Sequence, residues 1–142
     1  MPFQELEQYK RQSPRLADEL SQLELYLREV LDRRVPNTKG FDHSAYDIIP
    51  ILVAKRLGVD EGLALVLLGY AEEAGIIVHH YDVYCPTTEN FLQRFESKED
   101  LPDYIHCRYE ERTKHSIHEY FVELVFTFSS KFVRDHKMLV SA

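Results

Sequence analysis

Glycine is scarce in this chain, five residues in 142, and none of them falls into a phosphate-cradling loop or a dinucleotide-binding fingerprint. No nucleophile elbow or HExxH helix is present either, so the common catalytic motifs are missing. Only two cysteines occur, too few for a disulfide framework, and the expected state is a reduced thiol in the cytoplasm. No apolar run approaches membrane-spanning length, and the first residues are polar rather than leader-like. Cations are in the minority: seventeen Lys and Arg face twenty-four Asp and Glu, for a net charge of −7. That balance argues against nonspecific binding to nucleic acid or anionic membranes and points to a protein partner.

What the chain does contain centres on Tyr46 to Tyr84. Ile51 to Leu57 is apolar with Lys55 and Arg56 on its polar side, and Gly58 follows where a helix needs a left-handed residue. Asp60 then occupies an N-cap position and Glu61 the positive end of the next helix dipole. Leu63, Ala64, Leu67, Leu68 and Ala71 recur at helical spacing until Gly75. This is helix-turn-helix grammar. The β-branched and aromatic residues of Ile76 to Tyr84 then suit the first strand of a wing, so a winged helix over residues 41–84 is expected.

A helix that reads DNA carries cations for phosphates and Arg, Asn or Gln for base edges. Between Asp60 and Gly75 the charged residues are Asp60, Glu61, Glu72 and Glu73. Contact with protein is therefore the expected use of this helix. The alternative is a transcription regulator whose basic contacts come from Lys10, Arg11, Arg15, Arg33, Arg34 and Lys39.

Residues 1–40 read as helical. Phe3, Leu6 and Tyr9 share one face of a short helix. Ser13-Pro14 is an N-cap followed by a first-turn proline, and the pattern runs on to Arg34 before Val35-Pro36 stops it. Leu16, Leu20, Leu23, Leu27 and Val30 form an a/d-like seam widened by Leu25 and Leu31. Packing of this seam on its own chain is the first expectation, and pairing with a second copy is the alternative. Residues 37–43 read as a loop. Asp42 or Ser44 suits the cap of a short helix, and Pro50 either kinks that helix or opens a new one.

Residues 85–142 read as a small β-rich part with a tail. Cys85-Pro86-Thr87-Thr88 and Cys107-Arg108-Tyr109-Glu110 are spaced like the two knuckles of a zinc ribbon, each keeping only its first cysteine. Phe91 to Phe95 and Tyr104 to Cys107 read as strands around a short acidic turn. Val122, Leu124, Phe126 and Phe128 alternate with Glu123, Val125, Thr127 and Ser129, a strand with one buried face. Lys131 to Ala142 reads as a last short helix or a loose end. Metal ligation is not expected. The remaining candidate set is Cys85, Cys107, His115 and His118, since zinc takes such a mixture. A zinc-dependent fold would be detected as stoichiometric metal whose removal unfolds the protein. His79 and His80 point to opposite faces of a strand and cannot share an ion. A thiolate and imidazole pair from Cys107 with His106 or His115 lacks support beyond adjacency. Nine tyrosines and eight phenylalanines supply core and interface anchors. Glu61, Glu72, Glu73, Tyr81, Tyr84, Tyr109 and Tyr120 are the candidate partner-binding residues.

The segments GII, YDVYCP, SKEDLPDYIHC and VELVFTF, in that order, resemble the winged-helix plus zinc-ribbon-like module of bacterial accessory proteins, some encoded in antiphage or other conflict-type operons. The resemblance covers residues 46–129. Together with the helical segment at residues 1–40, the expected fold is α+β: a long N-terminal helix, a winged helix-turn-helix and a small β-rich, ribbon-like C-terminal part. The resemblance implies an accessory or regulatory module; with the catalytic motifs absent and the second cysteine of each knuckle missing, no enzymatic activity, cofactor or metal is expected.

Overall fold

Local chemistry sets most helix boundaries in the computed structural model, which describes residues 3–32, 47–106, 114–116 and 120–141. Helix α1 is Gln4–Gln12. Ser13 and Pro14 then produce a single 3-10 turn, Pro14–Leu16, before α2 runs over Ala17–Asp32. Pro50 takes the first turn of α3, Pro50–Leu57, and so opens a helix rather than kinking one. Gly58 closes α3 at φ 69°, a conformation that costs glycine nothing. Asp60 caps α4, Glu61–Glu73, its carboxylate accepting from the Leu63 amide at 2.7 Å. The remaining elements are β1 (Ile77–Tyr84), β2 (Phe91–Phe95), β3 (Tyr104–His106), β4 (Lys114–Ser116), β5 (Phe121–Phe128) and α5 (Ser130–Ser141). The fold is α+β, with a three-stranded antiparallel sheet in the order β2-β1-β5 and a two-stranded β3-β4 ribbon.

The chain divides into two compact units. The first holds the described residues up to Val78 and those from Phe126 onward, and the second is His79–Val125. The domain limits expected from composition, at 40/41 and 84/85, do not follow this division. The chain leaves the first unit within β1 and returns to it within β5.

In the first unit α1, α2, α3 and α4 pack together. Leu6, Leu20, Leu23, Leu27, Val53, Leu67, Leu68, Ile76 and Ile77 are fully buried. The α2 seam is therefore consumed inside its own unit. Leu20, Leu23, Leu27 and Val30 are at most 2% exposed, and pairing with a second copy through them is corrected accordingly. Ion pairs also tie these helices, Lys10–Glu24 largely buried and Arg56–Glu29 exposed. Glu24 accepts from the Phe3 amide at 3.0 Å and from Lys10 Nζ at 3.3 Å, tying α1 to α2. Arg56 on α3 grips Glu29 on α2 through both carboxylate oxygens at 2.6 and 2.7 Å. The Ile48 amide donates to the Phe126 carbonyl, and the Phe126 amide returns the bond. Phe132 on α5 meets Phe3 edge-on and stacks on Phe128.

In the second unit β1 and β2 form a hairpin in which Asp82 faces Arg94 and Val83 faces Gln93. Val83, Cys85, Leu92, Ile105 and Tyr120 form its core, with Phe95 and Leu101 packed at the margin. Strand β5 departs from simple alternation. Val122 is exposed, whereas the adjacent Val125 and Phe126 are both buried. Successive strand residues point to opposite faces, so both faces of β5 are covered at that point.

Candidate functional site

Helix α4 has two unlike faces. Ala64, Leu67, Leu68 and Ala71 are completely buried. On the opposite side Gly62, Leu65, Val66, Gly69 and Glu73 are exposed and recur at the three- and four-residue spacing of one helical stripe. Leu65 is 38% and Val66 49% exposed. Glu61 and Glu72 lie along one flank of this stripe, two helix positions that share a side with Leu65. The surface is thus an apolar strip with small residues in it and carboxylates along one edge and at its end.

Two features of the strip work against the stability of α4 itself. Glycine inside a helix costs about 1 kcal/mol relative to alanine. A Cβ at Gly69 would meet nothing within 4 Å, and one at Gly62 would meet only the Asp60 carboxylate at 3.3 Å. The fold therefore does not demand glycine at 69. At the C-terminal end, α4 has no basic residue in its last turn and carries Glu72 and Glu73 there instead. Each carboxylate opposes the negative end of the helix dipole, at a cost of about 0.3–1 kcal/mol.

Of the residues expected to bind a partner, Glu61 and Glu73 are exposed on α4, and Glu72, Tyr81 and Tyr84 are intermediate. Tyr120 is corrected. It is 5% exposed, its hydroxyl donates to the Pro102 carbonyl at 2.6 Å, and it belongs to the core of the second unit. Burial first, then the charge of Asp103, holds its phenol above the usual range. Tyr109 lies outside the described residues. Among the basic residues of the DNA-binding alternative, Arg33, Arg34 and Lys39 also lie outside them. Lys10 is engaged by Glu7 at 3.0 Å and by Glu24. Burial alone would lower its pKa, but hydrogen bonds and charges from the two glutamates outweigh that and raise it.

Of the zinc candidates, Cys107 and His118 lie outside the described residues, and of His115 only its place in β4 is defined. Cys85 is fully buried. It sits in a tight knuckle-shaped turn: the Cys85 amide donates to the Asn90 carbonyl, the Glu89 amide to the Cys85 carbonyl, and the Thr88 amide to Cys85 Sγ at 3.5 Å. Glu89 takes the left-handed conformation at φ 61°. The sulfur thus already has a backbone donor and behaves as a small core residue. Among the described residues no group of three or more His, Cys, Asp or Glu is placed to hold a metal ion.

Sequence reasoning missed one polar cluster. Arg94 Nε and Nη2 donate to the two oxygens of Asp82 at 2.6 and 2.8 Å, across paired strands. His80 lies within reach of both charges, and its pKa is lowered by burial first and then by Arg94. The alternation of His80 with Asp82 on one strand was the available signal. Asp82 is 2% exposed and both its oxygens accept from Arg94, so the pair braces the hairpin.

No protein-family model, curated protein or solved structure matches this chain.

Proposed function

We propose that the protein is a non-enzymatic winged-helix adaptor, or regulatory partner of an effector, that works in the cytoplasm by protein contact through α4. The single observation that carries this reading is the exposed strip Gly62, Leu65, Val66 and Gly69, edged by carboxylates and free of any cation from Asp60 to Gly75. Phosphates would be repelled there, and no side chain on the strip reaches a base edge. An exposed apolar surface with a charged rim is the usual form of a protein contact.

Support for the winged-helix reading comes from the order of elements. Helix α2 is followed by an extended residue at Ile48, then by α3, a glycine turn, α4 and β1. Ile48 bridges to β5, and β5 lies beside β1. In this reading β1 and β5 are the wing strands and the Cys85 hairpin stands in the wing loop. The knuckle-shaped turn at Cys85 supports a degenerate ribbon, and the resemblance to accessory proteins suggests a setting in bacterial defence.

The test is a tagged pull-down from the native host with nuclease treatment, run with the wild type and a Leu65→Asp/Val66→Asp variant. A stoichiometric protein that survives nuclease and is lost with the variant supports the reading. Recovery of a discrete DNA fragment, with a steep salt dependence and no such protein, replaces it with a transcription regulator.

A further inference from the structure

Resting on the protein-contact reading, we infer that α4 receives an amphipathic helix of a partner protein. That helix presents small and aliphatic residues to the strip and Lys or Arg to the carboxylates at its edge and end. Three observations specify the occupant. Open space at Gly69 and the small Gly62 allow another backbone to come close at two points, two helical turns apart. Close approach between small residues is a property of helix-on-helix packing. Leu65 and Val66 lie between the glycines and supply the aliphatic contact.

Charge then selects the partner. Glu61 flanks the strip and Glu73 ends it, and both are exposed. The dipole of α4 adds negative potential at the same end. A cationic edge on the incoming helix satisfies both, whereas an acidic one is repelled. A second copy of this chain is a poor fit. Its own α4 would bring the same carboxylates, on a chain of net charge −7. Lys55 and Arg56 stand on α3, and Arg56 is held by Glu29. An anionic nucleic acid fits even less well.

The probe is a phage-displayed library of helical peptides selected on the full-length protein, followed by synthetic peptides that share one Ala/Leu stripe and carry either a Lys or a Glu edge. The expected result is enrichment of Lys- or Arg-edged sequences. The Lys-edged peptide binds at least about tenfold more tightly than the Glu-edged one and weakens with added salt. Leu65→Asp/Val66→Asp removes binding, and Glu61→Lys/Glu73→Lys reverses the preference between the two peptides. Gly69→Phe fills the strip without changing charge and lowers affinity without lowering thermal stability, which separates docking from folding. Enrichment of acidic or neutral peptides that still depend on Leu65 and Val66 overturns the charge assignment and leaves protein contact standing. Absence of binders that depend on α4 overturns both. Concentration-dependent dimerisation in sedimentation that Val66→Asp abolishes assigns the strip to a second copy and overturns the inference.

Discussion

The helical unit and the β-rich unit are held together by different means. The first buries a set of large aliphatic side chains from α1, α2, α3 and α4, beside a largely buried Lys10–Glu24 pair and an exposed Arg56–Glu29 pair. The second has a short core of Val83, Cys85, Leu92, Ile105 and Tyr120. Its organisation leans on the Asp82–Arg94 brace and on the hydrogen bond from Tyr120 to Pro102. A small unit buries too little apolar surface to rely on it alone, and polar contacts take a larger share. The helical unit has the opposite freedom. Its core is complete without Leu65 and Val66, which stay exposed on α4.

The largest effect expected from this contrast is on Leu67, fully buried under α4. Leu67→Ala lowers stability by about 2–5 kcal/mol, and native-state hydrogen exchange places the loss first in amides of α2, α3 and α4. Next comes Asp82→Asn, which leaves the half-shielded Arg94 without its counter-charge. A loss of about 2–3 kcal/mol is expected, below the range for a wholly buried pair, and it falls on amides of β1 and β2. Equal losses in both units for either variant would break the comparison and make the chain one cooperative body. A smaller effect of opposite sign is expected from Gly69→Ala, which stabilises α4 by about 0.5–1 kcal/mol in urea titration.

The smallest effect is a pH slope at His80. Burial and Arg94 keep its folded pKa below the ordinary value. Between those two values the unfolded chain binds the proton more readily, so stability is full above about pH 6.5 and declines as pH falls through that window. His80→Gln flattens this slope in urea midpoints compared at neutral and mildly acidic pH, with the change confined to the second unit.

Features governed by a few adjacent residues were legible in the sequence. Gly58 takes its left-handed place, Asp60 makes its cap bond, and β1, β2 and β3 begin within a residue of the positions read from composition. Features that depend on distant segments were not. Nothing local to Asp82 names Arg94, and nothing local to Ile48 names Phe126. Packing of the α2 seam on its own chain was the first expectation but not the sole one, because an a/d pattern has the same appearance whether its cover is the same chain or another. Tyr120 was read as a surface anchor for a related reason: a tyrosine suits a core wherever its hydroxyl finds an acceptor, and that acceptor is eighteen residues away. The acidic, uncharged-centred character of α4 was plain in the sequence. That Gly69 stands in open space required coordinates.

Strands β1 and β5 are neighbours, and where the chain passes out at Val78 and back at Phe126 the Ser129 amide still donates to the Ile76 carbonyl at 2.9 Å. Such a gate can carry cargo of very different lengths, because doubling a loop adds only about 0.6 kcal/mol of closure entropy. The helical part is in that sense a holder with one socket. A short turn, a longer ribbon or a grafted reporter can occupy the socket while the surface offered by α4 stays the same.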